Sequence, residues 1–265
     1  MTRWHRITAR VTVPRPNTTR TGVVMPEPYY QDDLVTLYLG DCREITEWTE
    51  ADVLVTDPPY GIAWTRSGIS VATRADKAAK RYGADRPKRA HAVQGIANDE
   101  TTEARDHALK MWGDRPAFVF GSLLMPPPSG TKQVAIYAKP KDSGNLTAFS
   151  GIRRNVEAIY LLGKHKLGGG GRTAIFQTGA RTAGAAGGLA QRYKHPHAKP
   201  VDVLEELIRA IPEGVIADPF AGSGSTLVAA RNISRRCIGV EVEERHCETI
   251  ASRLAAQVFD FEGLS

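Results

Sequence analysis

The stretch that decides the fold is Val215-Ile216-Ala217-Asp218-Pro219-Phe220-Ala221-Gly222-Ser223-Gly224-Ser225-Thr226. Its apolar start is typical of a buried parallel strand, and the polar, glycine-containing run after it is typical of a loop at the carboxyl end of that strand. The pattern continues with a helix over Ser225–Asn232, a strand over Cys237–Glu241 and a helix over Glu243–Ala256. This order is half of a mononucleotide-binding sheet. We therefore expect an open α/β sheet that binds a ligand at this edge.

A second polar loop follows a second apolar run. Residues Asp52-Val53-Leu54-Val55-Thr56 predict a buried strand, and Asp57-Pro58-Pro59-Tyr60 comes directly after it. Two prolines remove two backbone donors, so carbonyl oxygens there are free to accept hydrogen bonds. A carboxylate beside a carbonyl suits an exocyclic amino group, and the Tyr60 ring offers a face for a planar base. The structural alternative is a proline-kinked turn with a capping aspartate.

The remaining pattern extends the sheet and covers it with helices. We predict a mostly parallel sheet with an antiparallel pair at one edge, formed by Gln133–Ala138 and Glu157–Leu162. The strand–helix–strand order at the start of the domain favours a neighbouring parallel pair with a right-handed crossover. The other predicted strands are Leu34–Leu39 and Ala117–Phe120, and the other predicted helices are Arg43–Trp48, Glu100–Trp112 and Val201–Ala210.

Length and composition are compatible with one large α/β domain with insertions. The chain has 265 residues, and 42% of them are hydrophobic. We expect a flexible arm over residues 1–28 and one domain over 29–265, with a lid loop over 61–98 and a small recognition insertion over 163–194. Both of these loops should lie on the carboxyl side of the sheet. We expect no signal peptide and no membrane-spanning helix, since no apolar run reaches the roughly 20 residues that such a helix needs, and we expect a cytoplasmic location. The three cysteines show no metal-binding spacing, and no metal is expected.

The positive charge of the chain is concentrated in its middle. The net charge is +6, and residues 139–199 contain eleven lysines and arginines but two acids, Asp142 and Glu157. A basic surface of this kind suits a polyanion, although a solvated set of loops without a partner is the alternative. The candidate contacts to phosphate groups are Arg66, Lys164, Lys166, Arg172, Arg181, Arg192 and Lys194.

The glycine-containing loop also indicates the kind of cofactor. Gly222 and Gly224 allow a tight turn and a close backbone approach to a ligand, and the following helix start can bind a carboxylate. Glu241 lies 19 residues beyond Gly222, where an acid commonly accepts from ribose hydroxyls. The loop lacks the Gly-Lys-Ser/Thr of a triphosphate site. We therefore expect an adenosine-type cofactor without a polyphosphate tail.

Taken together, these elements resemble the amino-methyltransferases of DNA. That family uses S-adenosylmethionine to methylate N6 of adenine or N4 of cytosine. Residues 57–60 match its catalytic tetrapeptide, and residues 218–226 match its cofactor loop. The element His195-Pro196-His197-Ala198-Lys199-Pro200 is similar to the family's His-Pro-Thr-Gln-Lys-Pro element, with His197 and Ala198 as departures. The order of the elements is that of the β subgroup, and the resemblance spans roughly residues 33–258.

The resemblance implies a Rossmann-like methyltransferase fold, S-adenosylmethionine as cofactor and double-stranded DNA as partner. It implies a catalytic role for Asp57, Pro58, Pro59 and Tyr60, with the target base flipped out of the helix. It also implies that the cofactor is held by Asp41, Cys42, Lys199, Pro200, Asp218, Pro219, Phe220, Gly222, Ser223, Gly224, Ser225, Thr226, Glu241 and Val242.

Three alternatives remain open at this point. Asp57 leans toward adenine N6, because the cytosine enzymes more often carry serine there, but N4-cytosine methylation is the nearest alternative. An RNA or protein-glutamine methyltransferase is disfavoured, because its tetrapeptide usually begins with asparagine. A non-catalytic DNA-binding protein of the same fold is the third alternative. The short variable segment also leaves open a homodimer in which a second protomer supplies part of the base readout.

Overall fold

The computed structural model describes residues 10–11, 26–61, 99–140, 155–164, 171–178, 198–211 and 213–262. Within these ranges one sheet of ten strands runs through the domain. The strands are β1 (Arg10–Val11), β2 (Tyr30–Gln31), β3 (Val35–Leu39), β4 (Val53–Thr56), β5 (Ala117–Gly121), β6 (Thr131–Ala138), β7 (Val156–Leu162), β8 (Ile175–Gln177), β9 (Ile216–Asp218) and β10 (Cys237–Glu241).

The centre of the sheet is parallel and both of its ends contain antiparallel pairs. The spatial order is β1-β2-β3-β10-β9-β4-β5-β7-β6-β8. Strands β3, β10, β9, β4 and β5 are parallel to one another. Strand β7 is antiparallel to both β5 and β6, as the sequence predicts for the edge pair. The open, mostly parallel α/β sheet is therefore confirmed.

Helices cover both faces of the sheet, because alternate residues of the central strands point to opposite sides. The helices are α1 (Glu103–Trp112), α2 (Val201–Ala210), α3 (Ser225–Asn232) and α4 (Glu244–Glu262), with a 3-10 helix over Glu47–Glu50. On one face, Val53 and Val55 of β4 share a core with α2, α3 and the first part of α4. On the other face, Leu54 shares a smaller core with α1 and with Trp48 of the 3-10 helix. The Trp48 and Trp112 rings stack there with centroids 5.9 Å apart.

Two sequence predictions about the first crossover are wrong. The predicted helix Arg43–Trp48 is a turn followed by the 3-10 helix, whose single turn is fixed by the buried Trp48. Strands β3 and β4 are parallel but they are not neighbours, since β10 and β9 lie between them. Sequence order suggested adjacency, whereas the buried strands from the second half of the chain occupy the gap.

The predicted arm, lid and insertion fall largely outside the described residues. In the arm, Arg10 and Val11 pair with β2. Residues 62–98 of the lid segment are not described, but Gly61 N donates to Asp99 Oδ1 at 3.0 Å, so the two ends of that stretch meet. In the insertion, β8 adds a strand beside β6. The domain boundaries themselves remain a prediction.

Candidate active site

Four parallel strands deliver acidic side chains to one edge of the sheet. Asp41 follows β3, Glu241 ends β10, Asp218 ends β9 and Asp57 follows β4. Because these strands are parallel and adjacent in that order, their carboxyl ends form one continuous row. Three strand spacings, about 14 Å in all, separate the first and last strand. The two loops singled out in the sequence therefore lie at the same edge.

A buried hydrogen bond joins the start of the loop 57–60 to the start of the loop 218–226. Thr56 Oγ1 donates to Asp218 Oδ1 at 2.7 Å across the β4–β9 pair. Phe220 N donates to the same oxygen at 3.2 Å, which ties the start of the loop back to its strand. Burial raises the pKa of Asp218 to about 6, although hydrogen bonds from Thr56 and Thr226 oppose the shift. The Asp218 carboxylate thus fixes the two loops relative to each other.

The tetrapeptide Asp57-Pro58-Pro59-Tyr60 is held by a compact group of charged and hydroxyl side chains. Tyr60 OH donates to Asp57 Oδ1 at 2.7 Å, and Lys199 Nζ donates to Asp57 Oδ2 at 2.5 Å. Lys199 Nζ also donates to Tyr60 OH at 3.2 Å and lies 3.3 Å from Glu157 Oε2. The Asp57 side chain is 21% exposed while that of Lys199 is 6% exposed, so the acid faces the cleft and the lysine lies behind it.

Burial and charge set the protonation of this group. Burial raises the pKa of Asp57; Lys199 opposes this shift, and Glu157 adds to it. Burial alone lowers the pKa of Lys199, but Asp57 and Glu157 outweigh it, so the pKa of the ammonium lies above its ordinary value. Burial and the nearby carboxylates raise the pKa of Tyr60, which keeps its hydroxyl protonated as a donor. The lysine is therefore a fixed cation beside Asp57.

Glu241 is oriented by two backbone donors. Gly222 N donates to its Oε2 at 2.7 Å and Glu243 N donates to its Oε1 at 2.8 Å. Burial nevertheless raises the pKa of Glu241 to about 7. Each oxygen keeps lone-pair capacity for a further donor, such as a ribose hydroxyl. Val242 beside it is 46% exposed, so an apolar side chain borders the cleft next to the acid.

The loop 218–226 is stabilised by its own groups and by contacts from neighbouring elements. Gly222 and Gly224 have positive φ angles of 53° and 76°. The hydroxyls of Ser223 and Ser225 are 3.0 Å apart, and Arg253 donates to the Ser223 carbonyl. Both serines are buried, as are Pro219 and Thr226. These side chains hold the turn, and the turn leads directly into α3.

Asp41 and Cys42 lie at the far end of the row. Asp41 accepts from Arg43 N and Arg43 Nε, both at 2.9 Å, and hydrogen bonds from Arg43 lower its pKa against the effect of burial. Cys42 is buried, and its carbonyl accepts from Trp48 Nε1 at 2.9 Å. Gly40 N donates to the Glu241 carbonyl at 2.9 Å, so Asp41 follows a residue that is hydrogen-bonded directly to Glu241. Pro200 is buried at the start of α2, directly after Lys199.

Two of the proposed DNA contacts lie at the opposite edge of the sheet. Strand β7 is antiparallel to β5, so Lys164, which follows β7, lies beside the start of β5 and pairs with Asp114 at 3.7 Å. Arg172 precedes β8, which runs in the same direction as β5, and is therefore also remote from the site. The expectation that the whole insertion lies on the carboxyl side is wrong for these residues. The other candidates, Arg66, Lys166, Arg181, Arg192 and Lys194, lie outside the described residues, as do His195 and His197.

Sequence reasoning missed Glu157 and Lys139. Glu157 lies in β7, is 8% exposed and pairs with both Lys199 and Lys139. The available signal was an acid inside the apolar run Val156–Leu162, since a charged residue in a buried strand is rare unless it is paired. Among the described residues, no group of histidine, cysteine, aspartate and glutamate is arranged for a metal ion. Within the same ranges no helix has the length and apolarity to cross a membrane.

Comparison with known proteins identifies the family. A family model described as DNA methylase, of the N6/N4 methyltransferase type, matches residues 76–252. The type II methyltransferase M.ScaI of Streptomyces caespitosus is 25% identical over 264 residues, which cover 87% of this chain and 84% of that protein. The type II methyltransferase M2.DpnII of Streptococcus pneumoniae is 44% identical over 66 residues, which cover 24% of this chain and 25% of that protein.

Two solved structures share the fold. The M1.HpyAVI–SAM complex aligns with a TM-score of 0.54 at 18% identity, covering 83% of this chain and 99% of that one. The PvuII DNA methyltransferase, which is cytosine-N4-specific, aligns with a TM-score of 0.50 at 14% identity, covering 83% and 86%. The chain belongs to the family of N6/N4 DNA methylases. It is an S-adenosylmethionine-dependent DNA methyltransferase, as the sequence predicted.

Proposed function

We propose that the protein methylates the exocyclic N6 amino group of adenine in double-stranded DNA. The observation that carries the proposal is the Asp57 carboxylate at the mouth of the site, beside two prolines and next to the cofactor loop. Asp57 lies at the carboxyl end of β4, and Thr56 ties that end to Asp218 of the neighbouring strand. The family match begins at residue 76, so the role of the tetrapeptide rests on its resemblance to the family's catalytic element and on this geometry.

The row of strand ends fits S-adenosylmethionine by the chemistry of its donors and acceptors. Asp41 would accept from the adenine amino group and Glu241 from the ribose hydroxyls, because neighbouring strands present both carboxylates. The backbone of 222–224 and the start of α3 would hold the amino-acid end. The cofactor, when bound, supplies an electrophilic methyl group. Every other contribution to the reaction comes from the chain itself.

Asp57 is the residue that prepares the target nitrogen. In our proposal its carboxylate and the Pro58 carbonyl accept hydrogen bonds from the two amino N–H groups, which would turn the nitrogen lone pair toward the methyl group of a bound cofactor. Methylation of the nitrogen would then release one of these two protons. Tyr60 stacks against the flipped base, and extrusion of the base costs a few kcal/mol. The positive charge that develops on the nitrogen is stabilised by the nearby carboxylate, so positioning and electrostatics provide the rate.

Adenine is preferred over cytosine because the tetrapeptide begins with aspartate. Incubating the purified protein with S-adenosylmethionine and unmethylated DNA, then digesting the DNA to nucleosides and analysing them by mass spectrometry, tests this directly. We expect N6-methyldeoxyadenosine. If N4-methyldeoxycytidine is the sole product, the target base is cytosine and not adenine. If no methylated nucleoside forms, the proposed activity is contradicted.

A further inference from the structure

The three ammonium protons of Lys199 have three acceptors around them. These acceptors are Asp57 Oδ2 at 2.5 Å, Tyr60 OH at 3.2 Å and Glu157 Oε2 at 3.3 Å. An ammonium has three donors and no acceptor, so the set is complete. Since Lys199 is almost fully buried, a proton that lost its acceptor would be drawn to the nearest remaining carboxylate oxygen.

Glu157 is itself held from the other side. Its Oε1 lies 2.5 Å from Lys139 Nζ, while its Oε2 faces Lys199. Glu157 lies opposite Tyr137 in the antiparallel β6–β7 pair, so its backbone position is fixed by the sheet. Cations and anions alternate along this chain of contacts, from Lys139 through Glu157 and Lys199 to Asp57. Each buried charge has an opposite neighbour, as burial requires.

We propose that Glu157 is a positioning residue for methyl transfer, which holds one Lys199 proton away from Asp57 and so keeps an Asp57 lone pair available to the target amino group. This inference rests on the proposed function. Without Glu157, the nearest acceptor for the released proton is the Asp57 carboxylate, which already takes one hydrogen bond from Lys199 and one from Tyr60. Asp57 would then be occupied by the protein and less able to orient the base.

The same geometry predicts a shift in the pH dependence. Activity requires an ionised Asp57, so the acid limb of the kcat profile follows its protonation. Glu157 raises the pKa of Asp57 through its negative charge, and removal of that charge therefore moves the acid limb to lower pH. The charged and titratable groups facing Asp57 from the surrounding elements are Tyr60, Tyr137, Glu157, Lys199 and Asp218.

The test compares Glu157→Gln, in which Lys199 keeps only a weaker, uncharged amide acceptor, with two matched variants. Glu205→Gln removes an ion-paired glutamate on α2, which contacts Arg209 and Asn232 away from the site. Lys139→Met removes the outer ion pair but leaves Glu157 beside Lys199. Radiolabelled methyl transfer as a function of pH gives kcat and the acid limb, and calorimetry gives the affinity for S-adenosylmethionine.

We expect Glu157→Gln to lower kcat roughly 10- to 100-fold, to shift the acid limb downward and to leave cofactor affinity within about threefold. Lys139→Met and Glu205→Gln should retain most of the activity with an unshifted limb. If the Lys139–Glu157 ion pair were merely structural, Lys139→Met would lower kcat as much as Glu157→Gln does. The acid limb of the kcat profile would then stay unshifted in both variants. That result would overturn the proposal.

A second variant keeps the test decisive if Glu157→Gln does not fold. Glu157→Asp retains the carboxylate, but its side chain is one methylene shorter, so the charge lies farther from Lys199. Its kcat and its acid limb should therefore fall between those of the wild type and those expected for Glu157→Gln. Wild-type kcat and pH profile in Glu157→Asp would overturn the inference. Absence of methyl transfer by the wild-type protein would instead contradict the proposed function, so the two failures are distinguishable.

Discussion

The Asp57 carboxylate accepts one hydrogen bond on each oxygen, from Tyr60 and from Lys199. Both partners belong to the same buried group, which Glu157 extends on the far side of the lysine. Removing Asp57 would therefore leave the lysine paired with Glu157 rather than isolated. This arrangement separates the proposed chemical role of Asp57 from the stability of the protein, so substitutions at this position are informative.

We expect Asp57→Ala to lower methyl transfer at least ~100-fold, since it removes the acceptor that orients the amino group. Cofactor affinity should stay within about tenfold, or roughly 1.4 kcal/mol. Asp57→Asn keeps an oxygen but loses the charge and should retain little activity, whereas Tyr60→Ala should fall between because it loses stacking. Methyl-transfer assays beside calorimetric titrations measure both quantities. Near wild-type turnover by Asp57→Ala would contradict the proposed role of Asp57 in methyl transfer.

Glu241 should make cofactor binding depend on pH. Its pKa is raised to about 7 by burial, and ribose hydroxyls donate best to the ionised form. Binding therefore strengthens as pH rises through 7, and the dissociation constant at pH 6 should be about ten times that at pH 8. Calorimetry with S-adenosylmethionine across this range measures the effect.

Glu241→Gln is the matched control for that measurement. It keeps the size of the side chain but cannot ionise, so its cofactor affinity should be weaker at pH 8 and should lose the component of the pH dependence that Glu241 causes. If the dissociation constant of Glu241→Gln still changes about tenfold between pH 6 and pH 8, the pH dependence comes from the cofactor or from another residue.

At the scale of elements, the turn between β9 and α3 is the most constrained part of the site. Gly224 has a φ of 76° and precedes α3 directly. A Cβ added to Gly224 would lie 2.7 Å from Ile250 Cγ1 on α4, so both the backbone angle and the packing require glycine. Because α4 approaches this turn closely, there is no room for a side chain at position 224.

Gly224→Ala should lower the free energy of unfolding by about 2–4 kcal/mol, which combines the left-handed backbone cost with the collision against Ile250. Gly130→Ala is the control, because Gly130 has a φ of 81° and nothing within 4 Å of the added atom. Its cost should be about 1–2 kcal/mol, the cost of the left-handed backbone alone. Urea denaturation of both variants gives the comparison, and equal losses would show that packing at Ile250 contributes nothing.

Elements with a strong local pattern could be predicted from the sequence, and elements fixed by distant contacts could not. Helices α2 and α3 have the predicted bounds, and in α2 the buried residues Val203, Leu204, Leu207 and Ile208 repeat at helical spacing. The segment after Asp41 lacks that spacing. Its geometry depends instead on Trp48, which is buried against Trp112 from a helix more than fifty residues away. No local pattern contains that contact.

The same distinction applies to the candidate site. Asp57 and Glu241 stand out in sequence because each ends an apolar run before a polar loop. Glu157 has no such context, and its role appears only when the antiparallel β7 places it beside Lys199. The position of Lys164 was missed for a related reason, since the direction of β7 decides which edge of the sheet that residue reaches.

At the scale of the whole molecule, the order of strands in space differs from their order in the chain. Strands β9 and β10 occupy the middle of the sheet, between β3 and β4. Thr56 and Asp218, whose side chains join the two loops, are 162 residues apart in sequence. The site is therefore assembled from both halves of the chain, and neither half contains all of its acids.

A fragment containing residues 1–200 should consequently fail to form a stable β4. One of the two strands that pair with β4 is β9, and the fragment lacks it. Hydrogen–deuterium exchange followed by mass spectrometry should show slow exchange for β4 amides in the full chain and rapid exchange in the fragment. Equally slow exchange of the β4 amides in the full chain and in the fragment would mean that β4 and β5 form a stable pair without β9 and β10.

On the ribosome this topology imposes a delay. At 5–20 residues per second, β4 emerges roughly ten to thirty seconds before β9 is synthesised. Throughout that interval the apolar edge of β4 has no partner on one side, and such an edge readily pairs with another chain. The nascent protein should therefore rely on a holdase chaperone, and codon changes that slow translation between residues 60 and 215 should lower its soluble yield.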